Sequence, residues 1–357
     1  MRRYWRLTVI CLMLGGGLGY GASCCKPTKH EEPKGLRLYA ADALTRNLYI
    51  FDAQTGELLD SLPDYNTGEL LLNSSGQYLY TVHFDDDWNA TTRKTDMRLL
   101  AQVAQAAGGS QLVFLENETL ILRPHSDNVE YLDAATLALV GIDSVGMRMG
   151  TVASVDTVGF VIGIGENERL IAYDFRNKRI LAADSVVLSD SAFAYGMAFA
   201  LSPSGKQGFG IFGDSRSRAW FIGFKTPSLE LEVFYQLVFR FGDVAVSPDG
   251  RYVLFDDPGD VPHGYIVGMF FVYDNVERKM ARIIDTDTLS LFGGVPWPCV
   301  TTIDFSPDGT EAYVSTGGNG WATGPVIVFD MEKLEFVRKI DMPFEWMPDP
   351  IVVGTEP

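Results

Sequence analysis

Cysteine is scarce in this sequence, and the few copies are badly placed for cross-links. Of four, Cys11, Cys24 and Cys25 fall in the first 25 residues, leaving Cys299 alone in the rest. A lone thiol has no intramolecular partner, so a disulfide framework is excluded, as are Cys-x-x-Cys-His haem attachment and cysteine-based zinc sites. Cys299 therefore reads as a buried, inert thiol. Histidine is equally thin, with four copies, and none of His83, His125 or His263 stands beside a recognisable nucleophile. Each reads more simply as a surface or core histidine than as a base.

Positive charge is also short. Lys and Arg number 29 against 46 Asp and Glu, for a formal net charge of −17. The first 23 residues carry three arginines and no acid, so the remainder stands at −20. Such a body repels phosphate backbones, which argues against nucleic-acid partners. Cations are less disfavoured, although the acidity equally serves only to keep the protein soluble.

Long apolar runs are missing too. The longest, Leu7 to Leu18, is shorter than the ~20 residues of a bilayer-spanning helix. It follows the basic Arg2-Arg3-Tyr4-Trp5-Arg6 and precedes the small residues Gly19 to Ser23, the pattern of a signal peptide over 1–23. Gly21-Ala22-Ser23-Cys24 resembles a bacterial lipobox, which implies lipidation at Cys24, but Gly21 stands where that motif has Leu. Ordinary signal-peptidase cleavage thus stays open. Residues 24–35 are polar and contain two prolines, the composition of a solvated tether. The expected localisation is extracytoplasmic, in a bacterial periplasm or at the cell surface, with a lipid anchor as the only membrane attachment.

What the chain has in quantity is a repeat. Ser247-Pro248-Asp249-Gly250 and Ser306-Pro307-Asp308-Gly309 sit between apolar strands, and Ser202-Pro203-Ser204-Gly205 and Asn73-Ser74-Ser75-Gly76 are weaker copies. Pro presets the first turn residue and Gly accepts positive φ, so each reads as a hairpin. Downstream comes an apolar strand ending in Asp: Leu48 to Asp52, Val129 to Asp133, Leu170 to Asp174, Phe271 to Asp274 and Val326 to Asp330. The Asp is placed to cap the following turn. Phe221 to Phe224 has Lys225 instead, and spacing demands a degenerate copy near Arg93 to Leu100. Ala101 to Ala107 reads as a short helix within a loop.

Seven units of about 46 residues with four strands each describe a seven-bladed β-propeller over 36–357. Leu36-Arg37-Leu38-Tyr39 matches a blade's second strand, so Pro350 to Gly354 is expected to supply that blade's innermost strand and close the ring. Residues 36 to 354 resemble the YVTN family of seven-bladed propellers. That resemblance implies the fold but no single activity, since the family includes bacterial surface proteins, lactonases and dehydrogenase subunits.

In a propeller, the turns between second and third strands share one face with the connections between blades. The repeat phase places Asp85, Asp86, Asp87, Trp88, His125, Asp127, Glu166, Asp214, Arg216, Asp256, Asp257, Asp260, His263, Asn319 and Trp321 there. Asp85, Asp86 and Asp87, and Asp256, Asp257 and Asp260, offer oxygen ligands that would suit Ca²⁺, or form solvated acidic loops; no spaced calcium motif frames them. Arg148, Tyr195, Arg240, Trp297 and Trp346 fall at blade starts, near the channel, where they would hold a carboxylate or sugar-like ligand with His263, or simply fill the axis. No catalytic residue can be assigned. The expected function is a monomeric, non-catalytic scaffold for an envelope protein, peptide or glycan. A lactonase-like hydrolase and a propeller subunit of a periplasmic amine dehydrogenase are the alternatives.

Overall fold

The computed structural model describes residues 35–42, 45–109, 111–125, 128–145, 149–155, 158–163, 170–184, 194–214, 219–237, 243–257, 269–285, 299–317, 323–343 and 351–357. The leader and the tether up to Lys34, with Cys24, lie outside them.

Among the described residues, 28 strands form seven four-stranded antiparallel sheets, written here from the innermost strand outward. The first sheet is β28 (Ile351–Thr355), β1 (Leu36–Asp42), β2 (Asn47–Asp52) and β3 (Leu58–Pro63). The second is β4 (Thr67–Leu72), β5 (Tyr78–Phe84), β6 (Ala90–Asp96) and β7 (Ala101–Ala107). The third is β8 (Val113–Leu115), β9 (Leu120–His125), β10 (Asn128–Asp133) and β11 (Leu139–Ser144). The fourth is β12 (Met149–Val155), β13 (Val158–Gly163), β14 (Leu170–Asp174) and β15 (Arg179–Asp184). The fifth is β16 (Ala194–Leu201), β17 (Gln207–Asp214), β18 (Ala219–Lys225) and β19 (Leu231–Leu237). The sixth is β20 (Val244–Val246), β21 (Tyr252–Asp257), β22 (Met269–Asp274) and β23 (Lys279–Asp285). The seventh is β24 (Cys299–Phe305), β25 (Glu311–Gly317), β26 (Thr323–Asp330) and β27 (Glu335–Ile340).

The core lies between sheets. Seven apolar clusters each bridge one pair of successive sheets, and the last joins the seventh to the first through Tyr313, Val326 and Val328 against Leu38, Tyr49 and Phe51. Each fully buried Phe or Leu there contributes about 1.5–3 kcal/mol. This arrangement is an all-β propeller with four-stranded blades. Closure is by the C-terminal strand, as expected: β28 pairs with β1 from Leu36↔Thr355 to Ala40↔Ile351.

The turn chemistry repeats as strictly as the strands. Asp52, Asp96, Asp133, Asp174, Asp274 and Asp330 each accept hydrogen bonds on Oδ1 from one or two amides two or three residues ahead. Four residues after each Asp the backbone turns left-handed, at Gly56, Leu100, Leu137, Lys178, Arg278 and Leu334 (φ between 49° and 75°). The fifth sheet keeps the bend without the Asp: Leu229 has φ 62° and its amide donates to Lys225 O at 2.9 Å. Asp96 is the degenerate second copy. At the same sheet ends, beside these turns, Ser247 and Ser306 anchor their hairpins through Asp249 (2.6 Å) and Asp308 (2.7 Å). Gly76, Gly205, Gly250 and Gly309 supply positive φ.

One expectation is corrected. Ala101–Ala107 is not a helix but the outer strand β7, paired with β6 from Asp96↔Ala101 to Thr92↔Ala106. Helix propensity favours such an alanine-rich run by a few tenths of a kcal/mol per residue, less than the ladder bonds offered by the open edge of β6.

Candidate functional site on the loop face and axial channel

On the loop face, the described residues come mainly from the first two blades. Asp85 shapes the β5–β6 loop by accepting from Asp87 N (2.9 Å), Asn89 N (2.8 Å) and Asn89 Nδ2 (3.0 Å). The Asn89 side chain, first among these, holds the Asp85 carboxyl below the usual carboxylate range. This clamp leaves Trp88 left-handed (φ 62°) and 79% exposed, with its ring 6.1 Å from that of Phe84. Arg46, from the β1–β2 loop, donates to Asp86 at 2.6 Å, so the two blades' loops are tied. Asp85 and Asp86 thus answer to local amides and to an arginine. Among the described residues, no group of three His, Cys, Asp or Glu is arranged to hold a metal ion.

Beneath that loop lies a buried polar patch. Thr81 pairs with Arg93 across β5 and β6, and His83 is two positions along the same strand. Thr81 Oγ1, His83 Nδ1 and Arg93 Nε are all buried without a hydrogen-bond partner among the described residues. Arg93 Nη1 donates to Asp64 O at 2.8 Å, and His83 Nε2 is 3.9 Å from Asp64 Oδ1. Burial first, then the Arg93 charge, pushes the His83 imidazole down. That shift favours the neutral ring, and its cross-strand neighbours in register are Thr67 and Thr91.

The remaining candidates are dispersed. Asp256 is buried on β21, where Oδ1 accepts from Asp243 N at 2.8 Å. Asp257 and Tyr195 fall in strands β21 and β16, paired with Met269 and Gly213. Arg148, Arg240, Asp260, His263, Trp297 and Trp346 lie outside the described residues.

Around the axis, carboxylates serve the innermost strands. Asp243 Oδ2 accepts from Ile303 N on β24 (2.7 Å), and Asp304 Oδ2 accepts from Val353 N on β28 (2.6 Å). An innermost strand has a free edge toward the channel, and these side chains satisfy its amides. Asp304 also accepts from Phe305 N at 2.9 Å. Its carboxyl is pushed up to about 6 by burial, with no charged side chain among the causes. Arg46, Thr81, Arg93, Asp243 and Asp304 escaped the sequence reading. Only Asp304 carried a signal: it is an acid inside the apolar Ile303-Asp304-Phe305 strand, just ahead of the hairpin turn.

Other perturbed groups are accounted for by the architecture. Lys94, pushed down by burial, donates to Ala134 O and Ala135 O at 3.0 Å and lies 3.9 Å from the Tyr78 ring centre. Asp143 accepts from Tyr131 (2.6 Å) and Lys178 (2.7 Å). Both tie one blade to the next.

No family model matches this chain, and no curated protein does. Solved structures do. A functionally unknown protein from Desulfotomaculum acetoxidans is 12% identical, with TM-score 0.63, covering 89% of this chain and 99% of the other. The Cps50 (Swd1) β-propeller domain from Myceliophteria thermophila is 12% identical, with TM-score 0.58, covering 78% and 87%. Hydrazine synthase from Kuenenia stuttgartiensis is 11% identical, with TM-score 0.61, covering 89% and 100%. Identities this low carry the propeller fold and nothing finer.

Proposed function

We propose that this propeller is an exported, non-catalytic binding scaffold of the bacterial envelope, a YVTN-like protein anchored through lipid on Cys24, and that its loop face takes a glycan. The observation that carries the reading is Trp88. An aromatic ring held in water by a four-bond carboxylate clamp is preorganised for a partner, because its ordering cost is met before binding. Trp is the residue type that most often dominates such contacts. Its flat apolar ring suits the face of a sugar, and Asp86 and Arg46 beside it offer an acceptor and donors to hydroxyls. The perturbed groups point away from catalysis: the lowered aspartates cap turns, and His83 is buried and neutral.

The test is a glycan array probed with the full chain and with Trp88→Ala, alongside a panel of sugar lactones assayed for hydrolysis. Retention of a glycan class that falls at least tenfold in Trp88→Ala is expected. Turnover of any lactone, or equal retention by both proteins, would overturn the reading. A fatty-acid label on the chain, lost in Cys24→Ala, tests the anchor.

A further inference from the structure

The face opposite Trp88 holds a second feature. Between the innermost strands β4, β24 and β28 lies a cavity of about 480 Å³ at the channel mouth formed by the hairpin turns. Leu70, Ile303, Ile351 and Val352 line it, with Asn73 and Pro307 at the turns, and Asp304 is the one acidic residue among the lining. Asp304 therefore faces an apolar-walled space without a cation: among the described residues no Lys, Arg or His forms an ion pair with it. Asp304 is half-buried, and carboxylates shielded from water in this way commonly have such a partner.

We propose that this mouth binds a small organic cation, an amine on an apolar stem, with Asp304 as its counter-ion. Three observations converge. The carboxylate already accepts from Val353 N and Phe305 N, which fixes its position and leaves each oxygen capacity for another donor. The wall is apolar where a stem would lie. The chain's strong negative charge favours the approach of cations over anions. The raised carboxyl agrees with a group that lacks its counter-ion.

The titratable groups on neighbouring elements are Glu69 on β4, Glu311 and Tyr313 on β25, Tyr252, Asp256 and Asp257 on β21, and Asp243 ahead of β20; β28 carries none. Tyr313 pairs with Asp304 in register but directs its hydroxyl to Glu311 at 2.7 Å. Asp243 is engaged by Ile303 N. Asp304 is thus the group whose ionisation governs binding.

Calorimetry with phenethylamine, and with 2-phenylethanol as its neutral counterpart, tests this on the full chain. At pH 7.5 the amine is expected to bind at least tenfold more tightly than the alcohol, and Asp304→Asn to erase that preference. The preference is also expected to fade as pH drops below about 6, where Asp304 takes up a proton. Ser74→Trp, an exposed rim position, leaves the carboxylate intact and is expected to weaken the amine tenfold, which keeps the test usable even where Asp304→Asn folds poorly. Equal affinity for amine and alcohol, no amine binding at millimolar concentration, or undiminished binding to Ser74→Trp would each sink the proposal. Glycan retention at Trp88 is read separately, so either site can fail alone.

Discussion

Asp304 on β24 accepts a 2.6 Å hydrogen bond from the amide of Val353 on β28, so a carboxylate in the channel wall pins the chain's last strand to the seventh blade. That strand simultaneously pairs with β1 near the start of the chain. One side chain thus reinforces the seam between β28 and the seventh sheet, at the cost of half-burying an acid.

Stability is expected to carry that cost in its pH dependence. The folded carboxyl titrates at about 6 against an ordinary 3.8, so the folded state holds its proton more tightly than the unfolded chain. The sign follows from linkage: the contribution is most favourable below about pH 4 and is lost as pH rises to about 6. Each pH unit of the shift corresponds to about 1.4 kcal/mol, and because Asp304 is only half-buried, solvent screening reduces the total to about 2 kcal/mol. Turn aspartates such as Asp52 and Asp330, whose pKa values are lowered, act in the opposite sense at lower pH. Urea midpoints of the wild type and Asp304→Asn from pH 4 to 7 isolate the term. Their difference is expected to change across that window, and parallel curves would show that the carboxyl is not shifted.

Removing 351–357 is expected to open the ring. Ile351 and Val353 are buried in the cluster joining the first and seventh blades, and each contributes about 1.5–3 kcal/mol. Adding the lost ladder bonds of β28 gives a deficit of about 5 kcal/mol, comparable with the whole stability of many domains. Urea unfolding of the truncated chain reads this directly. A midpoint equal to that of the full chain would mean that β28 does not hold the ring together.

The sequence made the blades legible wherever turn chemistry and apolar pattern agreed. Ser-Pro-Asp-Gly at 247–250 and 306–309, and strands ending in Asp, located strands and hairpins because the side chains that make those turns are few. The second blade was harder to see. Its third strand, Ala90–Asp96, carries Thr92, Arg93, Lys94 and Thr95, all polar, yet Thr92, Lys94 and Thr95 are buried through bonds to other blades and neighbouring strands. Periodicity cannot register a buried lysine whose partners, Ala134 O and Ala135 O, are 40 residues away. Ala101–Ala107 misled for the same reason: local propensity gave way to an open strand edge. The candidate site was less legible still, because Trp88, Arg46 and Asp304 acquire their meaning from loops of neighbouring blades that no spacing rule brings together.

Thr81→Val is expected to stabilise the protein or leave it unchanged, an unusual result for a fully buried position. The hydroxyl has no partner among the described residues, so its desolvation is uncompensated, whereas valine has nearly the same shape. A gain of up to about 1 kcal/mol follows from the usual penalty for an unsatisfied buried polar atom. Thermal melts at pH 7.5 decide it. A loss beyond about 1 kcal/mol would show that the Thr81 hydroxyl is hydrogen-bonded in solution.

The left-handed turn residues give a pair of opposed predictions on one geometry. Gly56 and Arg278 occupy equivalent places, four residues after Asp52 and Asp274, at φ 75° and 52°. A side chain with a Cβ is disfavoured there by about 1 kcal/mol relative to glycine. Gly56→Ala is therefore expected to destabilise by about 1 kcal/mol, since the added methyl would meet Ile340 at an ordinary 3.5 Å and strain comes from the backbone alone. Arg278→Gly releases the same strain but forfeits a pair with Glu232 at 2.9 Å in which the arginine is exposed and the glutamate nearly buried; because Gln207 and Lys225 still hold that glutamate, the loss is about 0.5 kcal/mol. Its expected net is a gain of about 0.5 kcal/mol. Opposite shifts in the urea midpoint would show that the turns share one backbone form across blades. Losses in both would mean that the arginine's contacts outweigh its conformation, and that the equivalence of the two turns does not extend to their energetics.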